Sequence, residues 1–234
     1  MNNLKAILFD FDGTIADSEP LHFAAFQDVL MEMYNYQFEE EEYTKDYLAY
    51  DDRNFFLNFS KNHNLRFNEE EIIKLMDKKK IQFERKAEDI IFFDGVLDFI
   101  TDLSKSFPLA IASGALESEI KPPLEKVGAL SLFEVVVSAD MVKKGKPDPE
   151  SFLLALSLLN EKRKADKIYP EECLVFEDSI YGVEAAKKSK MRSIAVTTSF
   201  SHEELSGISD KVVDAISLET LESAQFLKEW FLSL

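Results

Sequence analysis

Cysteine is nearly missing from this chain: Cys173 is the only one in 234 residues. A lone cysteine excludes an internal disulfide and a multi-cysteine metal site, and it asks for no oxidising compartment. Long apolar runs are missing too, since nothing approaches the ~18 consecutive apolar residues of a membrane-crossing helix. The amino-terminal Met1-Asn2-Asn3-Leu4-Lys5 meets its first acid at Asp10 and lacks the pattern of a signal peptide. Basic charge is scarce: 27 Lys and Arg stand against 44 Asp and Glu, a formal charge of −17. The deficit is general, because residues 18–92 carry 10 basic and 17 acidic side chains and the remainder 17 and 27. Neither part has the basic footprint that nucleic acid or an anionic membrane requires. Internal repeats and low-complexity linkers are also absent. The expectation is a cytoplasmic protein with neither nucleic-acid nor membrane partner, and nothing demands more than a monomer.

What is present is ordinary globular composition, 46% apolar and 30% charged, in a chain long enough for one large domain or two modest ones. Five short apolar runs read as buried strands: Ala6–Phe9, Leu109–Ala112, Val135–Val137, Leu174–Phe176 and Ile194–Val196, with Val212–Val213 a weaker sixth. Most are continuously apolar, which suits a parallel sheet covered on both faces. Helical segments lie between them. Asp148-Pro149-Glu150 offers an N-cap, a proline at the first helical position and an acid in the first turn. Leu227, Trp230, Phe231 and Leu234 repeat at helical spacing, and strand alternating with helix predicts a doubly wound α/β fold.

From Ser18 to about Phe92 the sequence predicts no strand, only helices over roughly 20–34, 39–48, 52–62 and 69–90. The acidic runs Glu39–Glu42 and Glu69–Glu71 fall where helices begin, as the helix dipole favours, and they read as solvated faces. Nine of the twenty phenylalanines lie in this stretch, enough for a separate small core. The expected organisation is an α/β core of residues 1–17 and 93–234 with a helical domain, 18–92, inserted after the first strand.

Open α/β sheets build their sites beyond the carboxyl ends of the strands. The first strand ends in Asp10-Phe11-Asp12-Gly13-Thr14 and the second in Ser113-Gly114; Lys146-Pro147 follows the third after a loop, and the fourth ends in Glu177-Asp178. Four strand ends thus offer carboxylates, a hydroxyl, a glycine amide and an ammonium, the inventory of metal-assisted phosphoryl transfer. With these four motifs in this order, and Ser179, Gly182 and Ala185-Ala186 after the acid pair, the chain resembles the haloacid-dehalogenase-like hydrolases over nearly its whole length. The branch it resembles is that of phosphatases and β-phosphoglucomutases with a helical cap.

The resemblance implies that Asp10 is the nucleophile and that Asp12 protonates the leaving oxygen and then deprotonates water. It implies Mg2+ held by Asp10, the Asp12 carbonyl and Asp178, with Glu177 a further or supporting ligand. Lys146 offsets the anionic charge of the transferring group, while Ser113 and the Gly114 amide hold its oxygens. Gly13 lets the chain leave the strand sharply and Thr14 fixes that turn. His22, expected to face the entrance of the cleft, and Arg53 match cap positions that meet substrate in the mutase branch. Simpler readings stand beside these. Asp10 and Asp12 are also a calcium or helix-cap pattern, Ser113-Gly114 a turn, Lys146 part of a solvated lysine run, and Glu177-Asp178 a helix cap. Arg53 is equally suited to a surface ion pair with Asp51 or Asp52, and Cys173 to a small buried residue.

Two departures from the family pattern stand out. Pro122-Pro123 should force a helix to restart at one of the prolines, with Gly128 closing it. Ser189-Lys190 replaces an alanine-glycine turn. The function expected is a Mg2+-dependent phosphatase of a small phosphorylated metabolite, with a sugar-phosphate mutase as the alternative. An idle binding protein on the same scaffold is disfavoured because every charged site residue is kept. A true dehalogenase would not need Asp12.

Overall fold

A computed structural model describes residues 3–48, 50–87, 90–163 and 166–233. Leu234 of the carboxyl-terminal pattern, and residues 88 and 89 of the stretch expected to be helical, lie outside the described residues. The chain divides into two compact units, Met1–Asp17 with Ile91–Leu234, and Ser18–Ile90.

The first unit is built on β1 (Ala6–Phe9), β4 (Leu109–Ala112), β5 (Val135–Val137), β6 (Cys173–Glu177), β7 (Arg192–Val196) and β8 (Lys211–Val213). These form one parallel sheet in the order β5-β4-β1-β6-β7-β8. Successive strand residues serve opposite faces. Ala6 and Leu8 of β1 join Val175 of β6 in a core that also takes Phe152 and Leu159 of α7 (Glu150–Lys162) and Ala185 and Ala186 of α8 (Ile180–Lys188). On the other face Phe9 stacks on Phe176 at 4.9 Å, and Phe99 of α5 (Val96–Ser104) meets Phe176 edge-on at 5.7 Å. Burial on both faces is why these runs do not alternate. The unit also holds α6 (Glu117–Lys126), α9 (His202–Ser206), α10 (Leu218–Leu221) and α11 (Ala224–Ser233), where Leu227 and Phe231 are buried.

Three expectations for this unit change in detail. Two strands too short to show a period, β2 (Ala16–Asp17) and β3 (Ile91–Phe92), pair antiparallel, so Ile91 and Phe92 belong with the sheet unit. Helix α7 starts one residue later than expected: Pro149 is the N-cap, and Asp148 Oδ1 accepts from Glu150 N at 3.1 Å. Helix α6 runs through Pro122 and Pro123 without restarting. A proline ring already holds a helical φ, and burying Ile120, Pro123 and Leu124 on one face offsets the two missing donors. Gly128, at φ +73°, does close α6: its N–H donates to Glu125 O and that of Ala129 to Leu124 O, a Schellman ending.

The second unit contains α1 (Glu19–Tyr34), α2 (Glu40–Asp46), α3 (Asp52–Asn62) and α4 (Glu69–Glu84), which ends six residues earlier than the pattern suggested. Its centre is aromatic: Phe26 stacks on Phe55 at 3.6 Å, and Phe38 meets Phe55 edge-on at 5.5 Å. The acidic runs do more than face water. Glu71 forms a capping box with Asn68, and Glu42 accepts from the Tyr36 hydroxyl at 2.9 Å and pairs with His63 at 2.6 Å.

Because Phe55 is wholly buried among rings, Phe55→Ala should cost the helical unit about 3–5 kcal/mol. The check is a urea titration followed by far-ultraviolet circular dichroism, where the transition of this unit moves to lower urea.

Candidate active site

The sheet's central strand, β1, stops at Phe9, and Asp10 stands on its carboxyl end with its N–H bonded to Phe176 O at 2.9 Å. Beyond it the chain turns back, with Ile15 N and Ala16 N both donating to Phe11 O. Gly13 takes φ +70° in this turn, and a Cβ there would collide with the Asp178 carboxylate. At the end of the neighbouring β6 come Glu177 and Asp178, followed by Ser179, whose hydroxyl caps α8 by accepting from Gly182 N at 3.0 Å. Ser179, and not Asp178, is therefore the helix cap. Gly182 has no room for a side chain because the Glu177 carboxylate fills that space.

Asp10, Glu177 and Asp178 bring carboxylate oxygens within 4.8 Å of one another, and all three are buried. Lys146 Nζ lies 2.7 Å from Asp10 Oδ1, pairs with Glu177 Oε1 and sits 5.0 Å above the Phe152 ring. Glu177 Oε2 accepts three further bonds, from Asp178 N at 2.9 Å, Ser179 N at 2.8 Å and Ser179 Oγ at 2.9 Å. Asp178 Oδ1 accepts from Thr14 Oγ1 at 3.1 Å, and its Oδ2 accepts from Ser199 Oγ.

Burial, with the charges of Glu177 and Asp12 added, raises the Asp10 carboxyl to about 7 despite the attraction of Lys146. Burial and the nearby Glu177 and Asp10 push Asp178 well above the usual carboxylate range. Burial by itself would lower Lys146, but Asp10 and Glu177 together carry it above its ordinary value. One ammonium thus faces three buried carboxylates, and every donor atom is a hard oxygen. That excess of negative charge and that ligand set fit a hard divalent cation.

Of the residues singled out from sequence, the fold brings Asp10, Lys146, Glu177 and Asp178 into contact. Ser113 and Gly114 stand at the end of β4, beside β1; the Ser113 hydroxyl, buried, accepts from Ala115 N at 3.1 Å. Asp12 is part-exposed and bridges to Ala16, because the chain bends directly after Asp10 instead of staying extended. Thr14 does not fix its own turn: its hydroxyl crosses to Asp178.

His22 and Arg53 belong to the helical unit. His22 packs on Phe83 at 4.5 Å, and Lys79, wholly buried, places Nζ 2.7 Å from His22 Nδ1 and 2.8 Å from Asp52. An ammonium only donates, so Nδ1 accepts and the ring proton sits on Nε2. Arg53 forms a two-pronged pair with Glu69 at 2.6 and 2.8 Å rather than with Asp51 or Asp52. Asp51 instead caps α3, accepting from Asn54 N at 2.7 Å, and Asp52 is taken by Lys79. Cys173 opens β6, buried, with its thiol pushed up to about 12 chiefly by burial.

Sequence reasoning missed Thr198 and Ser199. They follow β7 at its carboxyl end, where Thr198 Oγ1 donates to Gly13 O and Ser199 Oγ to Asp178. The signal was available, since the same strand-end rule applied to the fifth run leads directly to them.

A family model for haloacid dehalogenase-like hydrolases matches residues 7–196. The phosphorylated carbohydrates phosphatase of Thermotoga maritima is 32% identical over 192 residues, 82% of this chain and 84% of that protein. The fructose-1-phosphate phosphatase YqaB of Escherichia coli is 29% identical over 200 residues, 81% and 95% of the two chains. Among solved structures, CbbY from Rhodobacter sphaeroides in complex with phosphate superposes with a TM-score of 0.82 at 26% identity, over 96% of this chain and 99% of that one. A putative β-phosphoglucomutase from Thermotoga maritima gives 0.67 at 28% identity, over 90% and 94%. With its parallel sheet and the acid cluster on its central strands, this chain belongs to the haloacid dehalogenase-like hydrolases as an enzyme of phosphoric-monoester chemistry.

Proposed function

We propose that the protein is a Mg2+-dependent phosphatase of a small phosphorylated carbohydrate, working through an aspartyl-phosphate at Asp10. The observation that carries this reading is the buried cluster of Asp10, Glu177 and Asp178, with Lys146 paired to the first two. The two phosphatase relatives support a carbohydrate as the alcohol half of the ester.

Lys146 holds Asp10 through Oδ1, and the Asp10 carboxylate attacks phosphorus. As that bond forms, the bond from phosphorus to the sugar oxygen breaks, and Asp12 gives its proton to the leaving oxygen. Asp12, now a carboxylate, takes a proton from water. The resulting hydroxide attacks phosphorus, the bond to Asp10 breaks, and inorganic phosphate leaves with both carboxyl groups restored to their starting forms. Ser113 and the Gly114 amide hold phosphoryl oxygens, and Lys146 offsets their charge. Asp10, Asp178 and the Asp12 carbonyl would hold Mg2+, which when bound keeps Asp10 ionised and offsets the charge of the phosphoryl group. Glu177 anchors the site, with Oε1 accepting from Lys146 and Oε2 from Asp178 N and Ser179, and it is a further or supporting ligand. The helical unit acts as the cap that selects substrate, with His22 and Arg53 as its candidate substrate residues; Arg53 would first have to leave Glu69.

Asp10→Asn keeps the size of the side chain and removes the nucleophile. Turnover of a phosphomonoester should fall at least about 10²-fold while the circular dichroism spectrum stays unchanged; residual activity well above one hundredth would contradict covalent catalysis.

Chelation supplies a second test. Excess EDTA should abolish phosphate release and Mg2+ restore it, with the protein still folded in EDTA, since the cluster lies at the strand ends and not in the apolar core.

A sugar-phosphate mutase is the second reading, favoured by the likeness to the putative β-phosphoglucomutase. It separates from a phosphatase in one assay, glucose 1-phosphate primed with the bisphosphate. The phosphatase releases inorganic phosphate steadily; conversion to glucose 6-phosphate with negligible phosphate release would establish the mutase instead.

A further inference from the structure

Asp178 is held in an unusual way for a buried carboxylate. No cation pairs with it among the described residues; each of its oxygens instead accepts from a hydroxyl, Thr14 on one side and Ser199 on the other. The two hydroxyls come from separate strand ends, Thr14 from the turn after β1 and Ser199 from the segment after β7. The neighbouring Thr198 donates to the carbonyl of Gly13, the residue whose missing Cβ makes room for the Asp178 carboxylate. The turn after β1, the end of β6 and the segment after β7 therefore lock one another through three hydrogen bonds and one close approach.

The chemistry of the donors matters. Lys146 both orients Asp10 and cancels a charge. A hydroxyl orients a carboxylate and leaves its charge whole, and each carboxylate oxygen keeps a further lone pair. That combination leaves the full charge of the acid and its remaining lone pairs to a divalent cation, while fixing the direction in which they point.

We propose that Ser199 and Thr198 form a hydroxyl clamp, a pair of positioning residues that hold Asp178 and the turn at Gly13 in the arrangement that binds a divalent cation. The inference rests on the metal-dependent reading above and extends it to a fifth strand end.

The test measures Mn2+ binding directly, by electron paramagnetic resonance of the free ion, in the full chain stripped with EDTA and dialysed, with no substrate present. Ser199→Ala should weaken Mn2+ binding about 10–100-fold, the range for losing a partner of a metal ligand. Ser199→Thr, which keeps the hydroxyl, should restore it, and Thr198→Val should weaken it as well. A purely structural role would lower the thermal midpoint in EDTA and leave the dissociation constant unmoved. If wild type binds Mn2+ and Ser199→Ala binds it within about twofold of wild type, the clamp is overturned and the metal reading survives. If wild type binds no divalent cation, both fall.

Discussion

Three carboxylates buried around one ammonium form the constraint to which the rest of the sheet unit answers. Like charges at such distances are costly away from water, and the surrounding chain is shaped to bear them. Gly182 gives up its side chain so that Glu177 can lie against α8, and Gly13 gives up its own so that Asp178 can lie against the turn. Glu177 spends one oxygen on the start of α8 and the other on Lys146, which ties the loop after β5 to the end of β6. Phe152 beneath Lys146 is at once part of the apolar core and the platform for that ammonium. The apolar strands supply the rigidity: β1 is hydrogen-bonded on both sides and buried on both faces, so Asp10 stands on the least deformable part of the sheet.

The helical unit solves a different problem. Its described residues form helices and no strand, and it gains cohesion from rings that interlock stacked and edge-on around Phe38 and Phe55. Its polar groups are equally committed. Lys79 is wholly buried between Asp52, His22 and the faces of Phe26 and Phe83, an ammonium kept by a carboxylate and two ring faces. A basic residue so enclosed in an acidic protein holds two helices and a histidine tautomer at once.

Similarity to relatives bears on these two units unequally. The family match begins in β1 and ends at the last residue of β7, and within it fall all the acids of the cluster, Lys146 and Ser113. Thr198 and Ser199 lie just past that end, yet they reach back to the cluster through Gly13 and Asp178. A boundary drawn by sequence likeness thus cuts a site that hydrogen bonding keeps whole.

Much of the α/β architecture was legible in the residues alone. Continuous apolar runs mark strands buried on both faces, and the ends of such strands are where polar side chains must emerge, so Asp10, Ser113, Glu177 and Asp178 follow from position. Gly128 closes α6 because only a left-handed residue makes that ending cheap, a local rule that needs no partner. Other features depended on contacts between residues far apart in the chain. Whether Pro122 and Pro123 break a helix turns on what the helix around them buries: Ile120, Pro123 and Leu124. Arg53 pairs with Glu69 because α3 and α4 pack together, and no spacing announces it. Thr14 reaches Asp178, and Ser199 the same carboxylate, only because the sheet order sets β1, β6 and β7 side by side. The sequence by itself determined which groups stand at strand ends; the tertiary structure decided which of them touch, since strand neighbours are chosen by packing across the sheet and not by order along the chain.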